Sequence, residues 1–257
     1  MVKRTLKYVY LGFLYLFLYA PVIVLIVYSF NAGKYTSSWE GFSLKWYQSL
    51  FKDRTIMTSL YYTVVIGVLS ALIATVIGTL AAYAIHSMST WKRNVLLSVN
   101  NLPVINPDIV TGIALMTLFA AINMRLGFVT MLLAHITFNI PYVILSVLPK
   151  FKQLSSDTVE AAMDLGATTS YAFRKVILPE IMPGIITGML IAFTMSIDDF
   201  VISFFTTGSG VTNLSITIFS MTKRGVKPEI NALSALMFVT VITLLVIINL
   251  RTKDQEE

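Results

Sequence analysis

Three carboxylates, Asp108, Asp198 and Asp199, are the only formal charges inside the long apolar stretches of this 257-residue chain. A carboxylate near the centre of a bilayer costs about 2.5–3.5 kcal/mol on the mildest scale, so such groups usually line a pathway or meet a partner. The bland alternative is a neutral or hydrogen-bonded acid against a neighbouring helix. Asp108 lies about twelve residues, roughly 18 Å, into its stretch, and Asp198 about fifteen residues, roughly 22 Å. On one continuous helix, Thr187, Thr194 and Asp198 would form one stripe, with Ser196, Asp199 and Ser203 forming a second beside it. Two such stripes predict a wide wet face that repels anions and stabilises an amine cation. Trp46 could add an aromatic wall, although an interfacial anchor explains that ring at least as well. His86 and His135 stand isolated, with no carboxylate or histidine at ligand spacing, so no metal is assigned. No catalytic residues are assigned either: an Asp108–Asp198 dyad is a remote possibility without a recognisable intramembrane protease motif.

The elements that would hold these residues are membrane spans. Hydrophobic residues make up 56% of the chain and charged residues 12%, about half the charge of a soluble domain, and the mean hydropathy is +0.77. The net charge of +6 comes from Lys and Arg beside the apolar runs, where topology places them, which argues against nucleic acid as a partner. There is no cysteine, so disulfides, thiolate metal sites and cysteine nucleophiles are excluded.

An all-α polytopic fold is expected, a single domain over 1–257 with six transmembrane helices at about 8–31, 57–85, 96–121, 128–148, 183–206 and 232–250. The first run is too long, and its end too bulky, for a cleaved signal. Ser43 should cap a short interfacial helix over Leu44 to Phe51. Pro103 and Pro107 should break the third span, which survives only beside protein or a wet cavity. Pro183 suits a first helical turn, so the fifth span should run from there to about Thr206, with a loop following to Asn231. Counting Lys and Arg in short loops favours both termini in the cytoplasm.

That orientation makes 150–180 a cytoplasmic loop of about thirty residues, too long to be structureless. Asp157 and Glu160 form a capping box that would start a helix at Thr158. Gly166 sits where a left-handed residue would end it. A second short helix fits Thr169 to Ile177, stopped ahead of Pro179.

Glu160-Ala161-Ala162, then Gly166, then Val176-Ile177-Leu178-Pro179 resembles the EAA loop of bacterial ABC importer permeases, with Val176 in place of the usual Ile. The resemblance implies a type I importer-like permease in the bacterial inner membrane. In such proteins the first loop helix is a coupling helix seated on a cytoplasmic ATPase. Carried over, Glu160, Ala161, Ala162, Asp164, Gly166, Leu178 and Pro179 would form that coupling segment, with Gly166 allowing the bend. No GxxxxGK[ST] loop occurs, since Gly33-Lys34 is followed by Tyr, so ATP and Mg would be bound by another chain and no cofactor by this one.

The SIDDF run at Ser196 to Phe200 and the LPVINPDIVTG segment around Asp108 resemble the polyamine branch of this family. That branch implies a second homologous permease, an ATP-binding subunit dimer and a periplasmic polyamine-binding protein as partners, besides the lipid bilayer. The reading is a non-enzymatic subunit for spermidine or putrescine import. Alternatives are a permease of the same family for another cation or iron, and a self-sufficient secondary transporter or channel, which would usually show paired repeats or matching broken helices.

Overall fold

The computed structural model describes residues 2–34, 38–154, 163–164, 166–223 and 228–253. It is all-α: only two isolated bridges, Asn31 with Phe42 and Gly208 with Val211, interrupt the helical pattern among the described residues. The helices are α1 (Val2–Ser29), α2 (Lys45–Lys52), α3 (Arg54–His86), α4 (Thr90–Ile105), α5 (Asp108–Ala121), α6 (Phe128–Gln153), α7 (Thr169–Ala172), α8 (Leu178–Asp198), α9 (Val201–Thr206), α10 (Leu214–Lys223) and α11 (Pro228–Lys253). A π-helical turn, Phe173–Ile177, joins α7 to α8.

The expected count of six spans is not reproduced exactly. Four stretches are long and apolar enough to cross a membrane, Lys7–Ser29, Arg54–His86, Phe128–Gln153 and Phe173–Asp198, and α4 with α5 adds a fifth. That pair is bent by 103° at its break. Pro107 removes a backbone donor there and presses its predecessor, Asn106, into an extended conformation with ψ 142°. The apolar part described in α11, Pro228–Thr243, falls short of a span's length.

Two boundaries moved for identifiable reasons. The fifth span does not begin at Pro183, which lies inside α8. It continues upstream through the π turn, so the expected short helix is not stopped ahead of Pro179. Pro179 offers no N–H to the carbonyl four residues before it, and the wider i→i+5 pairing, as in Leu178 N–H to the Phe173 carbonyl, avoids needing one. The same span ends early, because Asp199 is extended (φ −61°, ψ 123°) and a new short helix follows. Smaller differences are that α6 runs on to Gln153, that 214–223 is helical rather than loop, and that α2 starts at Lys45 with the Ser43 hydroxyl accepting the Lys45 N–H at 3.2 Å.

The chain divides into two compact units, Ser59–Ile216 and Met1–Thr58 with Thr217–Glu257. In the first, α6 is held between α3 and α8. Val143, Val147 and Phe151 of α6 pack with Ala71, Ala74 and Ala82 of α3 and Ile181 and Ala192 of α8, all buried. Small residues let the backbones close up, as helix contacts in lipid require. A Cβ on Gly78 would lie 2.7 Å from Val143 Cβ, and one on Gly188 would lie 3.2 Å from Val143 Cα. A second apolar cluster joins Phe119 of α5, Ala134 and Phe138 of α6 and Ile202 of α9.

In the other unit, α1 and α2 each pack on α11, with Tyr19 edge-on to Phe238 at 6.5 Å and Ser49 donating to Glu229 at 3.2 Å. Asn31 organises the loop after α1. Its carboxamide oxygen accepts the N–H groups of Gly33 (3.2 Å) and Glu40 (2.8 Å), and its Nδ2 donates to the Ser38 carbonyl (2.7 Å).

Candidate translocation residues and their supports

The helix break at Asp198–Asp199 separates residues that a continuous helix would have kept on adjoining stripes. Thr187, Thr194 and Asp198 keep an exposed face of α8. The second stripe turns inward, with Ser196 and Ser203 buried and the Asp199 side chain 6% exposed. The wide wet face expected of two adjoining stripes is therefore a single exposed stripe. The chain turns after Asp198, and that turn carries Asp199 into the interior.

Asp199 spends its carboxylate on the start of α9. Oδ1 accepts the Ile202 N–H at 3.1 Å and Oδ2 the Ser203 N–H at 2.7 Å. A helix start leaves such donors orphaned and favours negative charge beside them. His135 Nε2 lies 2.9 Å from Ser203 Oγ and 3.5 Å from Asp199 Oδ2. The tautomer protonated on Nε2 suits this site, because Nδ1, without a partner among the described residues, is then a bare acceptor rather than a stranded donor. Asn213 closes the ring, with Nδ2 donating to the Asp199 carbonyl at 2.7 Å and to Ser203 Oγ at 2.8 Å. Its Oδ1 caps α10 by accepting the Ile216 N–H at 2.9 Å.

Ser196 belongs to a second buried group one turn away. Its hydroxyl is 3.0 Å from that of Ser70 on α3 and accepts from Asn139 Nδ2 at 2.8 Å. His135 and Asn139 thus stand one turn apart on the same face of α6, each aimed at a different part of α8–α9.

Asp198 makes no side-chain hydrogen bond among the described residues and is exposed; only its carbonyl is engaged, by the Ser215 hydroxyl at 3.3 Å. Asp108 is also exposed, in the first turn of α5 directly after the break. It sits one turn before Gly112, whose added Cβ would meet Phe205 at 2.9 Å, so α5 approaches the helix that Asp199 caps. Trp46 is half-buried; its Nε1 donates to the Asn31 carbonyl at 2.8 Å and its ring lies under Lys45 Nζ, 4.5 Å from the centroid.

Of the coupling residues, Glu160, Ala161 and Ala162 fall outside the described residues. Asp164 is exposed, Leu178 opens α8 half-buried and Pro179 is exposed in its first turn. Gly166 takes the left-handed conformation expected of it, φ +87°, with its N–H donated to the Met163 carbonyl at 2.9 Å. The residues that sequence reasoning missed are His135, Asn139, Ser70 and Asn213. The available signal was the His135/Asn139 spacing, two strong polar groups four apart in an otherwise apolar span.

The chain is similar over nearly its whole length to known transport subunits. It is 37% identical over 253 residues to the spermidine/putrescine transport system permease protein PotC of Haemophilus influenzae, covering 98% of each chain. It is 39% identical over 228 residues to the putrescine transport system permease protein PotI of Escherichia coli (strain K12), covering 86% of this chain and 81% of that one. Among solved structures, a bacterial ABC transporter involved in the import of the acidic polysaccharide alginate matches with TM-score 0.74 at 15% identity, over 98% of this chain and 96% of that one. The last is a likeness of fold alone. Residues 74–252 match the family described as binding-protein-dependent transport system inner membrane component, and the chain belongs to that family.

Proposed function

We propose that this chain is the permease subunit of an ATP-driven importer that carries polyamines, spermidine or putrescine, into the cytoplasm. The observation that carries this reading is the near-full-length similarity to permeases named for those two substrates. The geometry supports it: Asp108 and Asp198 are exposed carboxylates without side-chain hydrogen bonds among the described residues, each beside a helix break. One ammonium against one carboxylate at 4 Å is worth about 1 kcal/mol in bulk water and about 4 kcal/mol at an effective dielectric of 20. Separated carboxylates therefore suit a flexible dication or trication better than either suits a single charge.

In this reading Asp108 and Asp198 meet the substrate, while Asp199 and Ser196 hold the backbone that presents Asp198. Trp46 is kept as a wall only through its ring, since its N–H is committed to Asn31. The whole chain acts as one non-catalytic permease domain with both termini in the cytoplasm. It pairs with a second homologous permease, an ATP-binding subunit dimer that holds ATP and Mg, and a periplasmic polyamine-binding protein. Glu160, Ala161, Ala162, Asp164, Gly166, Leu178 and Pro179 form the segment that follows the ATPase.

The test is purification from membranes under mild conditions, followed by reconstitution. An ATPase should come with the chain, and spermidine with its binding protein should stimulate hydrolysis and drive uptake. Asp108→Asn and Asp198→Asn should each lower uptake while the complex still assembles. Full uptake by both variants, or the absence of any ATPase partner, would defeat the reading.

A further inference from the structure

We infer that His135 and Asn213 are positioning residues, a buried bracket that holds the turn at Asp198–Asp199 and so fixes where the Asp198 carboxylate stands. This deepens the polyamine-import reading and rests on it for the role of Asp198.

The bracket grips the turn from three directions. From α6, His135 reaches the Asp199 carboxylate and the Ser203 hydroxyl. From the loop before α10, Asn213 binds the Asp199 carbonyl and the same hydroxyl. From within, the Asp199 carboxylate binds the first amides of α9. His135 is 1% exposed and Asn213 2%, so neither can touch a permeant molecule.

The Asp198 and Asp199 carbonyls and the Asp199 carboxylate are all engaged. Among the described residues the Asp198 side chain, on the last residue of α8, has no hydrogen bond. Apolar packing is a poor way to hold such a turn, since it constrains distance but not direction. Hydrogen bonds to both the carbonyl and the carboxylate of the next residue constrain direction as well. A carboxylate that must meet an ammonium at a set point in the transport cycle needs its backbone held in that way, because a misplacement of about 1 Å is enough to spoil such a contact.

The experiment uses the reconstituted complex with this chain and four variants: Asp198→Asn, His135→Leu, His135→Gln, and Asp198→Asn combined with His135→Leu. The readouts are spermidine taken up per ATP hydrolysed, the amount of assembled complex, and hydrogen exchange at the amides of Ile202 and Ser203. His135→Leu should lower uptake per ATP about tenfold, with assembly and ATPase activity within about twofold of the natural chain. The double variant should fall no further than Asp198→Asn alone, since two changes that act through one group do not add. His135→Gln should recover part of the loss, because its carboxamide can donate where Nε2 does. Exchange at Ile202 and Ser203 should rise in His135→Leu.

Unchanged uptake per ATP in His135→Leu, or losses that add in the double variant, would overturn the bracket. If Asp198→Asn transports at the natural rate, the pathway role of Asp198 is what fails, and the bracket is then decided by exchange. Unchanged protection of Ile202 and Ser203 in His135→Leu overturns it; increased exchange upholds it. A complex that assembles with neither His135 variant would also overturn it, by showing His135 to be needed for folding alone.

Discussion

Asp199→Ala should cost far more stability than Asp198→Ala, although the two residues are neighbours of the same type. At Asp199 the carboxylate accepts two amides, Ile202 N–H at 3.1 Å and Ser203 N–H at 2.7 Å. Removing a helix cap costs about 1 kcal/mol, with a range near 0.5–2. A buried donor left without a partner costs roughly 1–3 kcal/mol, and Ser203 is wholly buried. The two effects overlap, so a total of about 2–3 kcal/mol is expected for Asp199→Ala. At Asp198 no hydrogen bond to the side chain is lost, and a surface change of that kind stays within about ±0.5 kcal/mol. Asp199→Asn should fall between, since one oxygen can still accept while the amide group opposes a second donor. For a chain of this size each kcal/mol moves a melting midpoint by roughly 2–4 °C, so Asp199→Ala should melt about 4–12 °C lower. The assay is thermal unfolding of the detergent-purified complex, followed by tryptophan fluorescence and by loss of monodisperse protein. Equal losses for Asp198→Ala and Asp199→Ala, or a neutral Asp199→Ala, would refute the division of labour between them.

Two further outcomes follow from close approach and backbone conformation. Gly78→Ala would place a methyl 2.7 Å from Val143 Cβ, and Val143 is also pressed from the α8 side at Gly188. It therefore has little room to yield. Destabilisation of about 1–3 kcal/mol is expected, and Val143→Ala in the same chain should relieve part of it; a Gly78→Ala protein as stable as the natural one would show that the α3–α6 contact is looser than described. Among the described residues a Cβ at Gly166 meets no atom within 4 Å, so the cost of Gly166→Ala is set by the φ of +87°, about 1–2 kcal/mol. It should leave the protein in the membrane and reduce ATP-driven uptake, whereas Gly166→Asn, which tolerates that conformation, should transport better than Gly166→Ala; the reverse order would count against a bend at this position.

The parts that were legible from sequence share one property, that the signal is local. A long run without charge is a helix in lipid because no other element can satisfy its backbone there, and α1, α3 and α6 were found on that ground alone. The Pro107 break and the left-handed Gly166 are also local, set by one residue's covalent geometry. What failed was any step that carried a helical period across an unseen break. Placing Ser196, Asp199 and Ser203 on one stripe assumed that α8 continued, and Asp199 ended it with its own side chain. Pro183 suits a helix start, but a π turn upstream carries the helix past Pro179 and leaves Pro183 inside it. His135 stands isolated in the sequence because its partners, Ser203 and Asp199, are far along the chain. A buried polar group pairs across helices, and nothing in its own neighbourhood announces the partner.

Along α6 the two kinds of contact are sorted by position. Thr130, His135 and Asn139 make directional bonds to Thr206, Ser203 and Ser196, at 2.8, 2.9 and 2.8 Å. From Val143 to Phe151 the buried side chains in contact with α3 and α8 are apolar. Interhelical hydrogen bonds in lipid contribute only about 0.6 kcal/mol on average, so the polar end is not much the more stable of the two. It is the more specific in direction: a hydrogen bond is lost when a helix rotates by an ångström or two, whereas apolar contacts set distance more than direction. The polar end lies at the Asp198–Asp199 turn, where the proposed function needs the Asp198 carboxylate aimed. The apolar end lies where α8 begins, beside the π turn and the segment that the family resemblance assigns to the ATPase. At that end the close approaches at Gly78, Gly184 and Gly188 set how near the helices lie, while the hydrogen bonds at the other end set how they are turned.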